Sequence, residues 1–236
     1  ASKEDLDSIA TLGFRGEALP SIASVSKFEL KTKPHDAVEG TFIDASGGSV
    51  DEVRSTGMKA GTNISVEDLF FNTPARRKFM KTTRTESRYI SKILIRMALA
   101  RPDVRFVLKR DGDVKFDYPA VEDLGDRIRQ VMGKDVREDL YQTFDYPDIA
   151  GVKADGYFSE PGHTQRTSKN IYTFVNGRYV EDSTVMAAIK GAYRNLLSSG
   201  RYPTVVIFLE VPYDLLDVNV HPTKIEVRYT IDRKSV

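Results

Sequence analysis

The longest apolar runs in the chain, such as Val205-Val206-Ile207-Phe208-Leu209, are strand-sized, far short of the roughly eighteen residues that cross a bilayer. A chain built from such runs folds as sheets covered by helices, not as a membrane bundle. Alternating or apolar runs predict strands at 28–32, 41–44, 63–69, 105–109 and 114–116. The last two are joined by Asp111-Gly112, a pair suited to a two-residue hairpin turn. Further strands are predicted at 140–144, 152–158, 171–175 and 179–180, with Asn176-Gly177 as a second hairpin turn, and then at 204–211, 217–220 and 225–229, the last pair around His221-Pro222. With 40% hydrophobic and 29% charged residues among 236, the apolar side chains suffice for a real core, which excludes wholesale disorder and collagen-like or low-complexity chains.

Helices are marked by periodicity and caps. Thr83 with Glu86 forms a capping-box pattern, followed by Ile90, Ile93, Leu94, Met97 and Ala98 at helical spacing before Pro102. A second helix carries Val121, Leu124, Ile128 and Val131 on one face and stops at Gly133. A third is expected over 183–197, ending before Gly200. Both halves read as α+β, with a boundary at the Pro- and acid-rich stretch near residue 120. The absence of cysteine removes disulfides, zinc–thiolate sites, iron–sulfur clusters and thiol nucleophiles, and points to a cytoplasmic location. The opening Ala1-Ser2-Lys3-Glu4-Asp5 has neither an initiator Met nor a leader, so a piece of a longer chain is expected.

Three segments carry candidate chemistry. In Thr11-Leu12-Gly13-Phe14-Arg15-Gly16-Glu17-Ala18-Leu19-Pro20, two glycines lead into a helix start, where backbone amides and the helix dipole suit a phosphate; a plain loop-to-helix junction gives the same spacing. The second segment, Gly61-Thr62-Asn63-Ile64-Ser65-Val66-Glu67-Asp68-Leu69-Phe70-Phe71-Asn72-Thr73-Pro74-Ala75-Arg76-Arg77-Lys78-Phe79, runs from a strand into an aromatic corner and three cations. From Arg76 to Arg96, eight basic residues meet the single acid Glu86, a local +7 that leaves −6 for the rest of a chain with net charge +1. Arg84, Arg88, Lys92 and Arg96 recur every four residues, opposite the predicted apolar stripe, as a ridge for nucleic-acid phosphates or as a solvated helix face. The third segment, Val218-Asn219-Val220-His221-Pro222-Thr223-Lys224-Ile225-Glu226-Val227-Arg228-Tyr229, presents Lys224 at the exit of a Pro-fixed turn, where it can serve as a point charge for a terminal phosphate or as an ordinary edge-strand lysine. His35, His163 and His221 have no ligand-spaced companions, so no metal site is expected.

In this order and separation, the three segments resemble the N-terminal region of the MutL family of DNA mismatch-repair proteins over nearly the whole chain. The glycine patterns are shared with gyrase B subunits, histidine kinases and the related chaperone, whereas Phe71-Asn72-Thr73-Pro74-Ala75-Arg76-Arg77-Lys78-Phe79 is more specific to MutL. Phe174-Val175-Asn176-Gly177-Arg178-Tyr179-Val180 fits the family hairpin that precedes the lysine signature. The resemblance implies part of a Bergerat-fold ATPase domain of gyrase and histidine-kinase type over 1–118, then a ribosomal-protein-like α/β transducer domain over 119–236. It implies that Gly13, Phe14, Arg15, Gly16, Glu17, Ala18 and Leu19 wrap a triphosphate, that Thr62 lies near the adenine side, and that Lys224 is the catalytic contact to the γ-phosphate. DNA is expected at Arg76, Arg77, Lys78, Arg84, Arg88, Lys92, Arg96 and Arg178. The implied partners are ATP with Mg2+, DNA, a mismatch-recognition protein and other repair proteins, and a second copy in an ATP-dependent clamp; no membrane is involved.

The departures matter as much. Family members carry, ahead of the lid, a helix with a catalytic Glu and a magnesium-holding Asn, then an Asp-x-Gly-x-Gly adenine loop. Neither element occurs here, and Asp44-Ala45-Ser46-Gly47-Gly48 does not have the loop's spacing. The chain is therefore expected to begin partway through the ATPase domain, to bind no nucleotide tightly, to hydrolyse none alone, and to expose apolar surface behind Leu69, Phe70 and Phe71. After Arg178 many relatives continue with basic residues; here stand Glu181-Asp182-Ser183. The other readings are a non-enzymatic nucleic-acid-binding module and another ATPase of the gyrase-like superfamily.

Overall fold

A computed structural model describes residues 16–143 and 151–212 and the backbone of two short strands at 216–217 and 228–229. The chain divides into two compact units, Ala1–Glu86 and Ser87–Val236.

In the first unit, helix α1 (Ala18–Ala23) leads into strands β1 (Lys27–Lys33), β2 (Gly40–Ser46), β3 (Ser49–Thr56) and β4 (Gly61–Glu67), then helix α2 (Pro74–Phe79) and the start of helix α3 (Thr83–Ala100). The strands form one antiparallel sheet in the order β3-β2-β1-β4. Its register sets Val53, Ile43, Leu30 and Ile64 in one cross-strand row and Val50, Ala45, Phe28 and Val66 in the next, because alternate side chains share a face. On the opposite face Phe42 is buried beneath Lys31 and Arg54, whose cationic groups lie 5.3 and 4.3 Å from its ring centre. Strand β3 escapes the sequence reading. Its signal, Gly47-Gly48 with φ of 58° and 92°, then Val50 and Val53, is diluted by Asp51, Glu52 and Arg54, charges typical of an edge strand.

In the second unit, α3 is followed by the hairpin β5 (Phe106–Arg110) and β6 (Asp113–Tyr118). Asp111 and Gly112 turn it with φ of 55° and 83°, as the sequence predicts. Next come α4 (Leu124–Met132), α5 (Lys134–Glu138), β7 (Leu140–Gln142), β8 (Lys153–Ser159), β9 (Thr164–Gln165), β10 (Ile171–Val175), β11 (Arg178–Val180), α6 (Ser183–Ala192), β12 (Tyr202–Pro203), β13 (Val205–Glu210), β14 (Leu216–Asp217) and β15 (Arg228–Tyr229). A five-stranded sheet runs β11-β10-β13-β8-β7, with β10 and β13 parallel and the other pairs antiparallel. Alternation along β13 feeds two layers. Val206 joins Leu99, Ile128, Leu140, Tyr157 and Phe174 on one face, and Val205 and Ile207 join Ile171, Val185 and Ile189 of the α6 side on the other. A sheet covered on both faces in this way reads as a continuous apolar run, which is what Val205–Leu209 is.

Several local expectations shift. The cap of α3 moves one residue upstream: the Thr82 hydroxyl and carbonyl accept from Thr85 N, and Glu86 Oε1 accepts from Lys81 N at 2.8 Å. The buried face of α3 also turns. Ile90, Ile93 and Met97 are 51%, 54% and 50% exposed, while Ala98 and Leu99 are fully buried and Ile95 packs with them. Helix α6 stops at Ala192 rather than 197, since Asn195 takes a left-handed φ of 70°. Residue 118 is the end of β6, from which the chain enters α4; the two compact units divide earlier, within α3.

Candidate functional site

Of the glycine segment, Gly13, Phe14 and Arg15 lie outside the described residues, as does Lys224. Gly16 takes φ +63°, with open space where a side chain would stand. Glu17 precedes α1 without bonding its amides, and the exposed Ala18 and Leu19 fill the first turn. Amides with no side-chain acceptor are donors that a phosphate oxygen can accept from, so these residues fit such a group chemically. Thr62 sits on β4 opposite Thr32, and their hydroxyls share a hydrogen bond of 2.8 Å.

The corner after β4 is a strained stretch. Asp68 and Phe70 both have positive φ, 50° and 65°, and for a bulky Phe that backbone persists only when its surroundings enforce it. Three contacts enforce it: Lys27 Nζ to Asp68 at 2.6 Å, Phe70 N to Val25 O at 2.6 Å, and Asn72 Nδ2 to Ser24 O at 2.9 Å. The Lys27 hydrogen bond holds the Asp68 carboxyl below its ordinary range. Pro74 then opens α2, a position where its missing N–H costs nothing, and Arg76, Arg77 and Lys78 stand exposed along it.

On α3, Arg84, Arg88 and Lys92 are exposed, but Arg96 is not. Its guanidinium lies 3.8 Å from the Tyr179 ring centre and donates through Nη2 to the Tyr179 hydroxyl and to Glu181. Burial pushes the Tyr179 phenol up to about 12. Arg178 lies half-buried in β11 opposite Val175.

Sequence reasoning misses three arrangements. Arg127, fully buried in α4, has no carboxylate partner; it donates to the carbonyls of Pro102, Val104, Tyr118 and Pro119, clamping both ends of the β5–β6 hairpin. Asn176, in the second hairpin turn, exchanges two hydrogen bonds with the Val211 backbone, at 2.8 and 2.9 Å. His163 meets Asp139 at 2.6 Å, a pairing across 24 residues that no local spacing signals.

Residues 128–235 match the family model described as DNA mismatch repair protein, C-terminal domain. The chain is 47% identical over 229 residues, 97% of its length, to the DNA mismatch repair protein MutL of Geotalea daltonii. It spans only 38% of that relative. Among solved structures, the Aquifex aeolicus MutL ATPase domain complexed with ADP superposes with a TM-score of 0.67 at 28% identity, over 90% of this chain and 76% of that one. An N-terminal domain of a DNA repair protein superposes at 0.79, with 23% identity, over 97% and 76%, a likeness of fold alone. The mixed helices and sheets described above thus form an α+β fold similar to that of the Aquifex aeolicus MutL ATPase domain. With this likeness running through almost all of its length, the chain belongs to the MutL family of DNA mismatch repair proteins.

Proposed function

We infer that this chain is the lid-and-transducer portion of an ATP-dependent mismatch-repair clamp. The observation that carries the reading is the 47% identity to a mismatch repair MutL across 97% of the chain. The likeness to an ATPase domain complexed with ADP supports a nucleotide as ligand. In this reading 1–118 is the later part of the ATPase domain and 119–236 the transducer. Residues 13–19 fold over the triphosphate, Thr62 lies toward the adenine, and Lys224 contacts the γ-phosphate. When bound, ATP would supply the binding energy that closes two copies into a clamp, while the residues of this chain hold and orient its phosphates. Mg2+ belongs to the same reading. Its ligand is assigned by the family resemblance to the Asn-bearing helix that relatives carry ahead of the lid.

DNA is assigned to the exposed cations Arg76, Arg77, Lys78, Arg84, Arg88 and Lys92, with Arg178 on the hairpin, and the other repair proteins to the full-length partner. The 236-residue chain alone is expected to show no turnover, since the water-activating Glu of relatives has no counterpart. A phosphate-release assay on the chain and on Lys224→Ala tests this. Lys224-dependent hydrolysis would overturn the inactive-fragment reading, and salt-independent DNA binding would overturn the assignment of DNA to the cations.

A further inference from the structure

Within the second unit, Arg88, Lys92 and Arg96 follow one another along α3 at four-residue intervals, but only the first two face solvent. The reason lies beyond β11. One carboxylate oxygen of Glu181, Oε1, accepts from Arg96 Nη2, accepts from the Tyr179 hydroxyl at 3.2 Å and lies 3.8 Å from Lys92 Nζ. The Arg96 side chain is 12% exposed over the Tyr179 ring, and its Nε is buried with no acceptor. A guanidinium held in place by an aromatic ring, with an ammonium one turn away, is a geometry that takes two oxygens of one phosphate. Glu181 serves that pair of cations with a single oxygen and leaves a buried donor unsatisfied. Its own side chain is 52% exposed beside the 12% exposed Arg96, so solvent and salt reach the pair from the carboxylate side.

We propose that Glu181 is an internal stand-in for a nucleic-acid phosphate: it occupies a phosphodiester site formed by Lys92, Arg96 and Tyr179, and DNA binds there only by displacing it. The proposal rests on the assignment of DNA to the basic face of α3 and adds to it a competitor and a regulated subsite. A polyanion can win the exchange, because each backbone phosphate it places releases condensed counterions whereas Glu181 releases none.

The test is the affinity of the 236-residue chain for a fluorescent duplex, read by anisotropy over a series of KCl concentrations. Glu181→Gln keeps the shape and removes the charge; it is expected to bind about three- to tenfold tighter, with a log–log salt slope steeper by about one phosphate contact. Glu52→Gln, which removes an acid of the first unit that pairs with Arg54, serves as the net-charge control and is expected to stay within about twofold of the parent. Arg88→Ala reports on the basic face itself and is expected to weaken binding and flatten the slope. If Arg88→Ala weakens binding while Glu181→Gln leaves affinity and slope unchanged, the basic face stands and the stand-in falls. If Glu52→Gln tightens binding as much as Glu181→Gln, only net charge is at work and the proposal is overturned. If neither Arg88→Ala nor Glu181→Gln changes anything, the assignment of DNA to α3 fails and the proposal fails with it.

Discussion

Compared with the five-stranded sheet of the second unit, where Phe174, Val205 and Val206 are fully buried, the four-stranded sheet of the first leaves Val50 and Val53 60% and 63% exposed. Both sheets carry apolar rows in register, so strand pairing does not distinguish them. The difference is the second layer. Helices α3 and α4 cover one face of the larger sheet and α6 the other, and all the buried apolar clusters found among the described residues lie in that unit. Among the described residues of the first unit the buried apolar ones are Val25, Phe28, Phe42 and Ala45. A sheet acquires a core only when another layer closes on it, and its apolar rows are otherwise surface available for association.

The largest expected effect is therefore in the second unit. Phe174→Ala, removing a ring stacked on Phe208 at 4.5 Å, should cost about 3–5 kcal/mol in a denaturant melt. Phe42→Ala should cost visibly less, since its cover is two cationic side chains; equal losses would break the contrast between the sheets. Next, Arg127→Met should cost about 2–4 kcal/mol, because the carbonyls of Pro102, Val104 and Pro119 lose a buried donor, and hydrogen exchange should quicken first in β5 and β6. A uniform rise in exchange would argue against a local clamp. Asp182→Ala removes an N-cap that accepts from Thr184 N and Val185 N at 2.9 Å, and should cost about 1 kcal/mol. The smallest stability change is expected from Val53→Thr with Ile64→Thr, within about 0.5 kcal/mol, but apolar-dye binding and light scattering by the chain should fall. Unaltered dye binding would mean that the first sheet's rows are covered after all.

Alkaline pH gives a further probe of the second unit. The folded phenol of Tyr179 is raised from 10.0 to about 12, so the native state keeps a proton that the unfolded chain releases. Its contribution is complete below pH 10 and is lost as pH rises through about 12. Thermal melts between these values should fall less steeply for Tyr179→Phe than for the parent; identical slopes would place the alkaline loss elsewhere.

What the sequence discloses tracks how local the cause is. Asp111-Gly112 and Asn176-Gly177 are legible as turns because two residues decide the backbone there, and both pairs adopt the positive φ that such turns require. Gly133 stops α4 for the same reason, whereas Val121, placed by the sequence reading on the helix face, precedes the N-cap Asp123. The buried face of α3 is not legible, since Ile90, Ile93, Leu94, Ile95, Met97 and Leu99 are apolar nearly all round and tertiary packing chooses among them. The carbonyl clamp of Arg127 leaves no trace in composition, because its acceptors are backbone atoms. For the basic face, spacing shows the four cations of α3 but not which is engaged, as the acid that takes Arg96 lies 85 residues away. The glycine and Pro-Ala-Arg-Arg-Lys segments are legible as family motifs, whereas the strain at Asp68 and Phe70 becomes visible only in backbone angles.

The parallel pairing of β10 with β13 sets an order of events during synthesis. Ile171 pairs with Val205 and Val175 with Leu209, so the centre of the larger sheet cannot zip until a hairpin and α6 have been made and folded back. Until β13 emerges from the ribosome, β10 offers an unpaired apolar edge, and α3 has no completed sheet on which to settle Leu99. A pause in synthesis after β13 has cleared the ribosome would prolong a state able to close, whereas a pause while β13 is still inside it would prolong one open to pairing with another nascent chain.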